Sequence, residues 1–200
     1  MSARLNWLLN TATDCIVNGG VIAYPTETIY GLGCDPLNPL AVHRLLDLKQ
    51  RSVHKGLILI ASDINQLRYF IQPLTKAQQV RISRKSTRPT TWLVPARKDV
   101  PNWLTGNHTS LAVRITRHPL AKALCQRLNS PLVSTSANCS GQPAARNALQ
   151  VRQRFNSALA NAKPDMIIHG HCGTNNKTNN GTDNRSSIIR DLRSNKILRS

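Results

Sequence analysis

The chain has 200 residues, 40% of them hydrophobic, and carries 27 Lys and Arg against 9 Asp and Glu, a formal charge of +18. That length suits one α/β domain able to bury a real core, and no apolar run approaches the roughly 20 residues that span a bilayer. Beyond solubility, an excess of this size points to a polyanionic partner: nucleic acid, nucleotide or acidic membrane surface.

The first ten residues hold one Arg in a broken apolar pattern, without an apolar signal core or a small-residue cleavage site, so the cytoplasm is the expected compartment. Cys15, Cys34, Cys125, Cys139 and Cys172 are odd in number and form no C-x-x-C pair, which argues against a disulfide framework or a zinc knuckle. Glu27 is the only glutamate.

In chain order, Gly20 to Tyr24 is a short apolar run bounded by glycines and Pro25, and it predicts a buried strand. A loop rich in Thr and Gly follows. Asn38-Pro39 predicts an N-cap with proline at the first helical position. The helix it opens carries Val42, Leu45 and Leu46 on one side and closes on Lys49 and Arg51, cations that suit its negative pole. Leu57 to Ala61 reads as a second buried strand. Strand, loop, helix and strand make an α/β unit of unread strand direction.

Gln66 to Ile82 reads as helix interrupted near Pro73. Leu111 to Thr116 alternates, with Leu111, Val113 and Ile115 on one face and Ala112, Arg114 and Thr116 on the other. Helices are expected from about Pro119 to Leu128 and from Ala148 to Leu159, with a strand over Pro131 to Thr135 between them. Residues 170–187 contain no large apolar residue and read as a mobile loop. Ile188-Ile189 and Ile197-Leu198 predict a closing hairpin.

Three segments could carry chemistry. Pro25 to Gly33 (PTETIYGLG) puts hydroxyls and glycines directly after a buried strand, where ligands of α/β sheets sit; a tight structural turn is the alternative. Lys49, Arg51 and Lys55 place three cations at a helix exit, which suits a triphosphate or a solvated basic turn. No Walker loop occurs in the chain. Ser134 to Gly141 (STSANCSG) follows a strand and offers hydroxyls and backbone N–H groups for an anion. It lacks the nucleophile-elbow pattern, so a serine nucleophile is not expected. His169, His171 and Cys172 are spaced like metal ligands, but a lone Asn- and Gly-rich loop is weak support for zinc. Aromatic residues, at 4%, are too few to form base-stacking platforms.

In this order, PTETIYGLG, the KQRSVHKGLILIA stretch from Lys49 to Ala61, WLTG, SLAVRIT, HPLAKALC, PLVSTSANCSG and SSIIRD resemble the YrdC/TsaC family of threonylcarbamoyl-AMP synthases. The resemblance covers most of the chain. It implies a single α/β domain over 1–200 (core about 8–192), a twisted open sheet with helices curved around a large basic cavity. The activity it implies joins L-threonine, bicarbonate or CO2, and ATP into threonylcarbamoyl-AMP and pyrophosphate. Mg²⁺ would accompany ATP, and no structural metal is expected. A transferase complex would then deliver the group to tRNA.

Carried over by position, Thr28, Arg114, Ser134 and Ser187 would face threonine. Lys49, Arg51, Lys55, Ser110, Ser136, Asn138 and Arg199 would face ATP, with Lys49 and Arg51 as the catalytic cations. The chain departs from the family's W-P-G-P-x-T stretch at Ser86 to Thr91 and ends in Ser200 where a glycine is expected. A non-catalytic factor that binds double-stranded RNA in ribosome maturation is the alternative that the charge supports. Carbamoyl transfer, as in hydrogenase-maturation relatives, is a third reading.

Overall fold

The computed structural model describes residues 2–84, 86, 88–155, 163–173 and 187–199. Helix α1 (Ala3–Val17) precedes the hairpin β1 (Ile22–Pro25) and β2 (Tyr30–Gly33), then α2 (Pro39–Lys49) and β3 (Ile58–Ala61). Next come α3 (Lys76–Ser83), β4 (Thr90–Pro95), the single turn α4 (Asn102–Thr105), β5 (Ser110–Ile115) and α5 (Pro119–Leu128). Strand β6 (Leu132–Ser136), α6 (Ala148–Arg154) and the short strands β7 (Met166–Ile167), β8 (Ile188–Asp191) and β9 (Ile197–Arg199) complete the order.

Among the described residues the strands form one mixed sheet, ordered β7-β1-β2-β6-β3-β5-β4-β8-β9. The pairs β1/β7, β3/β5 and β4/β8 are parallel, and the others are antiparallel. Strand alternation sends neighbouring residues to different sides. Ile22, Tyr24, Ile60 and Leu132 pack with α1 and α5, whereas Val21, Ala23, Leu59 and Val133 join a larger cluster with α2. Helices on both faces explain why β1 is buried at every residue.

Local chemistry sets several element ends. Asn38 Oδ1 accepts from the Ala41 N–H at 3.1 Å and Pro39 follows, so α2 starts where the sequence predicts. The α5 bounds also coincide, with His118 as N-cap. The terminal hairpin forms as β8 and β9, antiparallel, turned through Asn195 at φ 61°.

Other expectations need correction. Half of the supposed loop after Tyr24 is strand β2, because its glycines serve close approach rather than a turn: a Cβ on Gly33 would lie 2.6 Å from the Val133 carbonyl oxygen. The stretch 66–82 is no broken helix. It is a 3₁₀ turn (Ile64–Leu67), a bridge from Ile71 to Ala96, and α3. Gln72 donates to the Pro95 carbonyl instead of to a helix. Helix α1 escaped the sequence reading because its buried stripe, Leu9, Ala12, Thr13 and Ile16, uses two small residues.

Helix α6 is described to Arg154, and 156–162 lie outside the described residues, as do 174–186 of the expected mobile loop. The described start of that loop is tied down. Gly170 N donates to Tyr30 Oη at 3.0 Å, and Gly173 N to the Thr26 carbonyl at 3.0 Å.

Candidate active site

A cavity of about 800 Å³ opens over the sheet, reached from both of its ends. Strand β9 at one edge supplies Arg199, and α6, which packs on β1 and β7 at the other, supplies Arg154. Two separated parts of one sheet meet a common space only if the sheet curves, as twisted sheets do.

Strand β5 shows how the sequence aims its side chains. Leu111 and Val113 enter the larger core, while Ser110, Ala112 and Arg114, on the opposite pleat, line the cavity. The β1/β2 register pairs Pro25 with Tyr30, leaving Thr26 to Ile29 as a four-residue connection. Thr26 Oγ1 donates to the Ile29 carbonyl at 2.7 Å and stiffens that connection, which carries the buried Thr28 to the cavity wall.

The cations divide in a way the sequence does not reveal. Helix α2 ends at Lys49, and Gln50 turns left-handed at φ 49°, so Lys49 and Arg51 diverge. Arg51 lines the cavity and donates to the Gly56 carbonyl at 3.0 Å. Gly56 belongs to a turn pressed against Gly106, where an added Cβ would lie 2.3 Å from the His54 carbonyl oxygen at φ +62°. This backbone contact fixes the 53–56 turn that holds Lys55.

Lys49 is put to another use. It is 3% exposed and does not line the cavity. Its ammonium donates to the Ser136 carbonyl and to the Asn138 carbonyl and Oδ1, at 2.7 and 3.0 Å for the Asn138 pair. Asn138 also lies outside the lining. In this structure Lys49 and Asn138 brace the loop that presents Ser134 and Ser136. Burial, followed by the nearby Arg51, brings the Lys49 pKa down to about 8.

Of the remaining expected residues, the structure brings Thr28, Arg51, Lys55, Ser110, Arg114, Ser134, Ser136, Ser187 and Arg199 to the one cavity. Ser187 Oγ and Thr91 Oγ1 share a buried hydrogen bond of 3.0 Å, which ties β8 to the stretch that departs from the family pattern. Arg146 and Arg154 were missed. Both read as ordinary surface cations around a helix; Arg146 stays exposed at the cavity rim, and the packing of α6 brings Arg154, half-buried, to the wall.

Arg51, Lys55, Arg114, Arg146, Arg154 and Arg199 line the cavity, and no Asp or Glu is among its described lining residues. Arg51 Nε, Arg114 Nε and Arg154 Nη1 are buried without a hydrogen-bond partner. Burial, then the neighbouring Arg199, works against the charge of Arg51 and lowers its pKa. Guanidinium N–H groups left without an acceptor in poor solvent are costly and are satisfied by anionic oxygens. Such a lining can accept an extended polyanion.

Behind it, Glu27 accepts from Thr116 Oγ1 and Arg117 N at 2.7 and 2.8 Å. Burial favours its protonated form, but Arg114 and these donors outweigh it and hold the carboxyl below the usual range. Elsewhere His169 pairs with Arg152, and Cys172 Sγ donates to the Arg146 carbonyl. Among the described residues no helix is long and apolar enough to cross a membrane.

Residues 14–200 match the model of the Sua5/YciO/YrdC family, whose description reads "Telomere recombination". The chain belongs to that family. A threonylcarbamoyl-AMP synthase of Nitrosococcus oceani is 51% identical over 168 residues, 84% of this chain and 88% of its own. One from Stutzerimonas stutzeri is 46% identical over 194 residues, 97% of each chain. The crystal structure of P. abyssi Sua5 complexed with L-threonine superposes with a TM-score of 0.79 at 29% identity over 92% of this chain. This family member covers 51% of that longer Sua5 chain.

Proposed function

We infer that this chain is a threonylcarbamoyl-AMP synthase, joining L-threonine, bicarbonate or CO2, and ATP into threonylcarbamoyl-adenylate and pyrophosphate. One observation carries the reading. Six cations and eight serines and threonines from separate stretches of sequence line one cavity that has no acidic side chain among its described lining residues. The curated relatives bear this activity in their names.

In this reading Arg114 takes the threonine carboxylate, and Thr28, Ser134 and Ser187 surround the amino acid. Threonine amine and CO2 give a carbamate with loss of one proton. A carbamate oxygen then attacks the α-phosphorus, the bond to the bridging oxygen breaks, and its electron pair leaves with pyrophosphate. Both reactants are anions, so the barrier is largely electrostatic. Fixed guanidinium and ammonium groups of Arg51, Lys55 and Arg199 offset that repulsion, and confinement supplies proximity. Ser110 and Ser136 add hydrogen bonds to the nucleotide, and Lys49 and Asn138 act through the loop they brace.

Mg²⁺ meets no carboxylate on the described cavity wall, so the residues present do not form a site for it, and it would arrive as part of the nucleotide substrate. The product serves tRNA modification in the cytoplasm through a partner transferase, and the +18 charge suits contact with RNA. The test is pyrophosphate release with ATP and bicarbonate, with and without threonine. Tight RNA binding without threonine-dependent release would favour the non-catalytic alternative instead.

A further inference from the structure

Glu27 stands one residue from Thr28, yet it does not line the cavity. Its side chain is 6% exposed and reaches away from its own hairpin. Oε1 takes three donors from one turn: Thr116 Oγ1 at 2.7 Å, Arg117 N at 2.8 Å and His118 N at 3.3 Å. That turn joins β5, which carries Arg114, to the N-cap of α5. It is itself fixed to β3, because Thr116 N donates to the Ala61 carbonyl at 2.9 Å.

In the sheet, β2 and β5 are not neighbours; β6 and β3 lie between them. Three successive ladders join them, and no direct one ties the 26–29 connection to the end of β5. The Glu27 carboxylate spans that interval. Its other oxygen, Oε2, has no hydrogen-bond partner and lies 4.0 Å from Arg114 Nη2. At that length the carboxylate offsets the buried guanidinium charge without using its donors, which a bidentate pair would consume.

We propose that Glu27 is a positioning residue: it sets the separation of Thr28 and Arg114, and so the fit of the amino acid held between them. The proposal rests on the reading of those two residues as the threonine contacts. Other ways of closing this gap would use different atoms. Among the described residues Glu27 joins the hairpin to the 116–118 turn through three donors to one oxygen, and it is the chain's only glutamate.

The experiment compares wild type with Glu27→Ala, Glu27→Gln and Thr116→Val, measuring the KM for threonine, the KM for ATP and the melting temperature. Glu27→Ala should raise the threonine KM about tenfold or more, since small misplacements of binding groups are costly, and leave the ATP KM within about twofold. Glu27→Gln keeps an oxygen for the same donors and should fall nearer wild type. Thr116→Val, isosteric and outside the cavity, should move the threonine KM the same way by about a few-fold through the lost donor. It also serves if Glu27→Ala does not fold. If these variants lose melting temperature while the threonine KM stays put, or shift both KM values together, the positioning role is overturned and the proposed activity stands. A wild-type chain with no threonine dependence would sink the activity and this role together.

Discussion

Lys49 donates from its ammonium to two atoms of Asn138, the carbonyl oxygen at 2.7 Å and Oδ1 at 3.0 Å. The residues are 89 positions apart, and the contact fastens the end of α2 to the loop after β6. In return, Ser140 N donates to the Lys49 carbonyl at 2.8 Å. A cation in the middle of four convergent oxygens is a bolt, and the loop it fixes carries serines of the cavity wall.

Replacing Lys49 by Met should therefore impair turnover with both substrates, because the whole 134–138 segment loosens. Leaving the Asn138 and Ser136 oxygens without their donor costs about 1–3 kcal/mol, read as a lower melting temperature. Lys49→Arg should not restore activity, since a planar fork cannot copy a compact ammonium among these acceptors. Full activity in Lys49→Met would show that the loop holds itself.

The same lysine predicts opposite pH trends for rate and stability. Its pKa lies at about 8 in the fold against the ordinary 10.5. Between these values the unfolded chain keeps the proton that the folded chain has released. Its contribution to stability therefore rises with pH in that window and is lost as pH falls through about 8. Activity should instead decline above about 8, because the neutral amine loses the charge-assisted bonds that fasten the loop. Melting curves and kcat/KM in the same buffers test both signs, and both inflections should vanish in Lys49→Met.

Arg51 should separate catalysis from folding. Its guanidinium sits near Arg199, and burial also opposes its charge. Arg51→Gln should lower the melting temperature only slightly, through the lost Gly56 bond offset by relief from Arg199, while kcat/KM for ATP falls about 10²–10³-fold, as when one preorganised donor is removed from an enclosed site. A parallel loss of stability and activity would make Arg51 structural.

Thr28→Ala should raise the threonine requirement and leave the ATP KM alone, as measured by pyrophosphate release against threonine concentration. An unchanged threonine KM would remove Thr28 from the amino-acid site.

Ser187→Ala leaves Thr91 Oγ1 buried without its 3.0 Å partner, which should lower stability by about 1–3 kcal/mol in denaturant unfolding. The effect should be absent in Ser187→Ala/Thr91→Val, where both hydroxyls are gone. Equal destabilisation in single and double variants would contradict the pairing.

Much of the scaffold was legible because its causes are local. Asn38-Pro39 starts α2, His118-Pro119 starts α5, and the alternation of β5 already puts Arg114 opposite Leu111 and Val113. The hydroxyl-rich and basic motifs likewise stand out by their types. What stayed hidden depended on neighbours distant in sequence. Gly33 looks like a turn residue until Val133 is packed against it, and Arg154 looks solvated until α6 docks on β1 and β7. Lys49 and Arg51 look like one basic cluster, yet a left-handed residue between them sends one behind the loop and the other into the cavity. Residue types and short periodicities thus determined the elements and the chemistry available to them. Tertiary packing of strands, helices and turns decided which charges share a space, because that depends on strand order and on contacts no local stretch contains.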